Sequence, residues 1–107
     1  MKLIIPPEVQ IGALLYHLFR NDYLLEKINL SGHISSKDQK IWIAHREIDQ
    51  EFLVLVHEAC HGICDELGIA SGEESENFIK ALATGVALFI LSLGIEPDFS
   101  QIPEEKS

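Results

Sequence analysis

Residues 57–61 read His57-Glu58-Ala59-Cys60-His61, two imidazoles four positions apart with a glutamate next to the first. On an α-helix, positions i and i+4 lie one above the other, so both rings can reach one metal ion. Glu58 is turned by about 100° from His57, outside the ligand pair but within reach of a metal-bound water. That is the division of labour of a zinc hydrolase, with two neutral nitrogen ligands and a base beside the nucleophile. A tetrahedral catalytic site also needs a third protein ligand and one open position. The nearest candidates are Glu73, Glu74 and Glu76, at the start of the next helical segment. Counting round that helix centres its apolar arc on Phe78, Leu82, Val86 and Phe89. Glu74, one turn before Phe78, then sits at the edge of the core-facing arc, where a carboxylate must be bound or neutralised. Glu74 is the expected third ligand and Glu76 the second choice. An acidic first turn stabilised by the helix dipole accounts for Glu73 and Glu76 without any metal.

Other titratable residues carry weaker signals. Cys64 falls on the metal face, but one rigid helix cannot easily close positions i, i+4 and i+7 around an ion, so it is expected as a small core residue. Asp65, one turn after His61, is either an acceptor for a ligand's ring N–H or a solvated carboxylate. His17, His33 and His45 are expected as ordinary surface or core histidines, His45 being nearest the expected cleft. Nothing singles out Tyr16 or Tyr23.

The elements that must position these groups follow from periodicity and breakers. Lys2 to Ile5 suits a short strand stopped by Pro6 and Pro7. Val9 to Phe19 fits helical spacing through Ile11, Leu14, Leu15, Leu18 and Phe19, and a helix is favoured there over a strand or hairpin. Ile28–Ile34 and Lys40–His45, separated by a polar five-residue stretch, predict a β-hairpin. Glu47 to Leu67 is the expected metal helix, with its apolar flank on Phe52, Leu53, Val56, Cys60, Ile63 and Leu67 and its C-cap at Gly68. Ala70-Ser71-Gly72 reads as a linker, with Ser71 or Gly72 capping a helix from Glu73 to about Leu93. Residues 98–107 are expected to form a loose acidic tail.

The chain has 107 residues, 47% of them hydrophobic and 23% charged, enough for a single domain with one core and too apolar for disorder. Residues 1–46 sum to +2 and residues 47–107 to −11, giving the net charge of −9. Such a chain repels phosphate backbones and anionic lipid, which excludes nucleic acid as an expected partner. Cys60 and Cys64 share one helical face and do not form a disulfide framework, and no signal peptide is evident, so a cytoplasmic location is expected. The apolar run Ala81–Ile95 is shorter than the roughly twenty residues of a membrane span. A buried helix, or one contributing to a homodimer through residues 78–93, is expected instead.

The stretch Leu53 to Ile63, containing the His-Glu-x-x-His motif, resembles the core of small prokaryotic and phage-encoded zincin metallopeptidases of the gluzincin type. Gly32-His-Ile34, a polar turn and Gln39 to Ile43 are similar to the strand pair those proteins carry before the metal helix. Glu74-Ser-Glu-Asn-Phe78 with Leu82 resembles a stretch of the ImmA/IrrE-type peptidases whose glutamate supplies the third ligand, and the chain's size is similar to that of the minigluzincins. The resemblance covers roughly residues 30–90, and Glu76 and Ile79 depart from its pattern. It implies an α+β single-domain zincin-like fold, a short β-sheet packed on an active-site helix and a glutamate-bearing helix. His57, His61 and Glu74 would hold Zn²⁺, with Glu58 as general base in the hydrolysis of a peptide or protein substrate. That substrate is expected to pair with exposed backbone on Lys40–His45. The alternatives are a non-catalytic zinc-binding regulatory module, as in a phage or mobile-element accessory protein, and a latent peptidase whose tail or second subunit covers the cleft.

Overall fold

Alternation rather than helical spacing decides the first twenty residues. In the computed structural model, which describes residues 1–69 and 73–105 and leaves the side chains of residues 73–75 outside the description, Tyr16 and Leu18 are buried while Leu15 and His17 face out. This stretch forms strands β2 (Glu8–Ile11) and β3 (Leu14–Phe19), an antiparallel hairpin and not the expected helix. Gly12 makes the turn at φ +60, a conformation that disfavours side chains and that no helix interior contains.

The fold is α+β. Ahead of the hairpin, β1 (Lys2–Ile4) forms as expected and pairs in parallel with β6 (Glu96–Asp98). After β3 comes the short helix α1 (Asp22–Lys27), capped by the Asn21 side chain, which accepts from the Leu24 N–H at 3.0 Å. Its C-cap Ile28 lies in the stretch expected to open a strand; β4 starts only at Gly32 (Gly32–Ser35). β4 pairs antiparallel with β5 (Lys40–Ile43), as the predicted hairpin requires. β5 also pairs in parallel with β3, so the four-stranded order is β2-β3-β5-β4. Lys40–Ile43 is therefore an interior strand, and the free backbone expected there belongs to β4 instead.

Helix α2 (Ile48–Glu66) ends before Gly68 at φ +69, and α3 (Glu73–Ser92) before Gly94 at φ +83, both glycine stops that the sequence signals. The proposed linker Ala70-Ser71-Gly72 and its capping residue lie outside the described residues. The sheet-facing stripe of α2 is Phe52, Leu55 and Gly62, with Glu51 and Glu58 buried in it. The expected flank through Ile63 and Leu67 is exposed at its C-terminal end. The correction on α3 is larger. Phe78 and Phe89 are 67% and 65% exposed, and Leu82 and Val86 are also exposed, while Ile79, Ala83 and Ala87 are buried. Small side chains win the inner face because they let the backbones of two helices approach closely. Among the described residues no helix is long and apolar enough to cross a membrane.

The expected loose tail is also corrected. Phe99 and Ile102 are buried in the core, and Arg20 forms a parallel bridge with Glu104. The Glu105 carboxylate accepts from Asn21 Nδ2 at 2.9 Å and Trp42 Nε1 at 2.8 Å, and lies 2.9 Å from Lys40 Nζ. Burial works against its charge, but these donors hold the carboxyl below its ordinary range. Residues 106–107 lie outside the description.

Beneath this segment the buried Arg20 guanidinium pairs with the buried Glu51, whose carboxylate also accepts from the Arg46 N–H at 3.2 Å. Removing one member of a buried pair strands the other charge. Glu51→Ala is expected to cost about 3–5 kcal/mol in urea unfolding, and a loss indistinguishable from that of an exposed glutamate would contradict this account.

Candidate metal centre

Helix α2 carries its chemistry on two sides. His57 and His61, one turn apart, present Nε2 atoms 3.1 Å from each other, and both rings are about three-quarters buried. Glu76 enters from the first turns of α3. Its position follows from the corrected helix face, because Glu76, Ile79, Ala83 and Ala87 succeed one another at spacings of three, four and four and so share the side that α3 turns inward. Glu76 Oε1 lies 3.0 Å from His57 Nε2, and Oε2 lies 2.7 Å from His61 Nε2.

These three residues form a group able to hold a metal ion, their donor atoms all lying within 4.8 Å of one another. The fit can be tested on distances. Ligands about 2.1 Å from a tetrahedral ion stand about 3.4 Å apart; the two imidazole nitrogens are 3.1 Å apart and the two Glu76 oxygens approach them at 3.0 and 2.7 Å, so the group would have to open slightly around an ion. Two imidazoles and a carboxylate suit a borderline divalent cation, and no further His, Cys, Asp or Glu joins the group among the described residues.

Of the predicted ligands, His57 and His61 are thus brought together, and the described carboxylate that joins them is Glu76, the second choice. The side chain of Glu74 lies outside the described residues. What favoured Glu74 was a core arc through Phe78, Leu82, Val86 and Phe89, and that arc is exposed.

Glu58 occupies the sheet-facing side of α2, nearly buried, with Oε2 at 3.8 Å from His57 Nδ1. Gly32 explains the burial. A Cβ on Gly32 would stand 2.3 Å from Val54 Cγ1 and 3.3 Å from Glu58 Cγ, so the missing side chain lets β4 lie directly on this part of α2. The sequence marks Gly32 for this role by nothing more than a glycine within an expected strand. Burial, with the Glu76 carboxylate nearby, pushes Glu58 up to about 7.

The remaining candidates lie elsewhere. His45 bridges Asp22 Oδ2 at 2.8 Å and Glu104 Oε1 at 3.0 Å, His33 stacks on Trp42, and His17 faces Glu8 at 3.7 Å. Asp65 makes no hydrogen bond to either ligand ring among the described residues; with Glu66, and after burial itself, it helps push the Tyr16 hydroxyl up. Cys60 and Cys64 are free, partly buried thiols. A cleft of about 800 Å³ beside Arg20, His45 and Phe99 includes none of the three donors. No family model matches the chain, and neither the curated proteins nor the solved structures yield a match.

Glu58 has a thermodynamic consequence in metal-stripped protein. Its folded-state pKa is raised above the unfolded value, so ionising it penalises the fold progressively as pH rises from about 4.5 to about 7. Glu58→Gln should relieve a penalty of about 2–3 kcal/mol at about pH 8 and almost none at about pH 4. Equal melting-temperature differences between the two proteins at both pH values would show that Glu58 is not so perturbed.

Proposed function

We propose that this protein is a zinc-dependent peptidase whose metal is held by His57, His61 and Glu76. The observation that carries the proposal is the convergence of two imidazole Nε2 atoms and one carboxylate at 2.7–3.1 Å, with a buried glutamate adjoining the first ligand in sequence. The resemblance of residues 30–90 to zincin peptidases supports the same assignment. The chemistry an ion supplies at such a triad is Lewis acidity, polarising a carbonyl and lowering the pKa of water towards about 7.

The chain's own residues do the rest. Glu58 accepts the proton of the attacking water and returns it to the leaving amine, a role suited to a carboxylate that burial makes more basic than a free one. Gly32 and β4 keep bulk water from Glu58 and hold its pKa there. An extended substrate has one sheet edge close to Glu58, the side of β4 not paired with β5, where backbone hydrogen bonds can align it.

A non-catalytic regulatory module on the same scaffold has one observation in its favour, since the cleft beside Arg20 does not reach the triad. Latency through the tail has less support. The side-chain hydrogen bonds of Glu105 go to Asn21, Lys40 and Trp42, and Glu104 faces His45.

Elemental analysis of protein purified without added metal should give about one zinc per chain in the wild type. The metal should be lost in His57→Ala and Glu76→Ala and kept in Glu74→Ala. Glu58→Gln should keep zinc while hydrolysis of a peptide library falls by about 10²–10⁴-fold. A wild type that takes up no zinc refutes the metal centre; zinc uptake with no hydrolysis that Glu58→Gln diminishes refutes the peptidase and leaves the regulatory module.

A further inference from the structure

Helix α3 turns its largest apolar side chains outward. Phe78, Leu82, Val86, Phe89 and Leu93 are 67%, 50%, 40%, 65% and 62% exposed, and their spacing of four, four, three and four places them on one stripe. The stripe contains no charged residue, and Gly85 beside its middle has open space where a Cβ would be. With an aromatic side chain carrying about 150–250 Å², these five offer on the order of 500 Å² of apolar surface. A contiguous patch of that size is at the upper end of what a monomer leaves in water, and such patches often mark an interface. It also approaches the roughly 800 Å² per partner of a standard interface.

We infer that this stripe is the interface of a homodimer in which the α3 helices of two copies cross antiparallel about a two-fold axis near Gly85 and Val86. Two observations select a second copy as the occupant, and a third sets its direction. First, the stripe is symmetric about its midpoint, so an isologous contact sets Phe78 against Leu93 and Leu82 against Phe89, large against large. Gly85 at the axis lets the two backbones approach. Second, the chain carries a net charge of −9, and an uncharged stripe is where two such chains can meet without facing like charges. Third, the acidic residues of α3, Glu73, Glu74 and Glu76, all lie at its first end. A parallel pair would stack them, whereas an antiparallel pair separates them by about 30 Å, the length of a twenty-residue helix. The area on offer completes the case, since Leu88, itself exposed, extends the patch at its rim.

Sedimentation of the full-length protein from low to high micromolar concentration tests this. The wild type should sediment at twice the mass of the chain. Leu82→Glu and Phe89→Glu should sediment as monomers with unchanged far-UV circular dichroism, because both sites are exposed in the single chain, and dimer affinity should fall at least tenfold. Tyr23→Glu, at an exposed aromatic on α1, should leave the dimer intact. In a Cys60→Ser/Cys64→Ser background, Phe78→Cys and Leu93→Cys proteins should cross-link to each other on mixing rather than to themselves, a readout of the antiparallel order. A wild type that is monomeric throughout, dimers that survive both glutamate substitutions, or a monomer that instead sediments with lipid vesicles would each overturn the inference.

Discussion

The structure depends most on keeping one buried cation satisfied. A guanidinium out of water is tolerated only when its donors and faces are occupied, and Arg20 recruits partners from three parts of the chain to do so. Glu51 supplies the opposite charge from the first turns of α2, the Ala44 carbonyl accepts from the segment after β5, and Phe99 presents its ring 5.8 Å away. The backbone of Arg20 is held as well, donating to the Pro103 carbonyl at 2.9 Å and accepting from the Glu105 N–H at 2.8 Å. One residue at the end of β3 thereby fixes where the metal helix starts relative to the sheet.

The site inherits its geometry from that start. With α2 set on the sheet, Glu58 is pressed under β4 and the two histidines lie on a different side of the helix. The contact with α3 is made through alanines, which places Glu76 opposite them. The buried carboxylate and the histidine pair therefore adjoin, Glu58 Oε2 lying 3.8 Å from His57 Nδ1, but in environments of different polarity. Burial sets the basicity of Glu58, while half-exposed Glu76 stays open to a cation.

How much of this was legible in the sequence depended on the range of the interaction. His57 and His61 are related by one helical turn, so their convergence needed nothing beyond local periodicity, and the glycine stops at Gly68 and Gly94 were equally local. The third ligand was not local. The segment from Phe78 to Leu93 is apolar on nearly all sides, so a wheel cannot tell which side meets α2; hydrophobicity pointed to the phenylalanines and close packing chose the alanines. Ile11, Leu14, Leu15 and Leu18 satisfy a helical spacing, whereas the alternation that holds runs through Leu14, Tyr16 and Leu18, and Gly12 decided between them. The last segment looked loose because its hold depends on three spaced residues, Phe99, Ile102 and Glu105, whose partners lie far away in the chain.

That last contact gives the fold a temporal order. Asn21 and Glu105 are separated by 84 positions, and joining them closes nearly the whole chain into one ring. Ring closure of that length costs conformational entropy that local hairpins and helices do not meet. The β2-β3 hairpin, the β4-β5 hairpin and the helices can therefore form early, whereas Arg20 must wait for the final strand segment before both its backbone groups and its guanidinium are satisfied. Until then the backbone N–H and C=O of Arg20 lack their partners at Pro103 and Glu105. The step that completes the core is thus the slow, non-local one, and folding is paced by topology more than by the strength of any single contact.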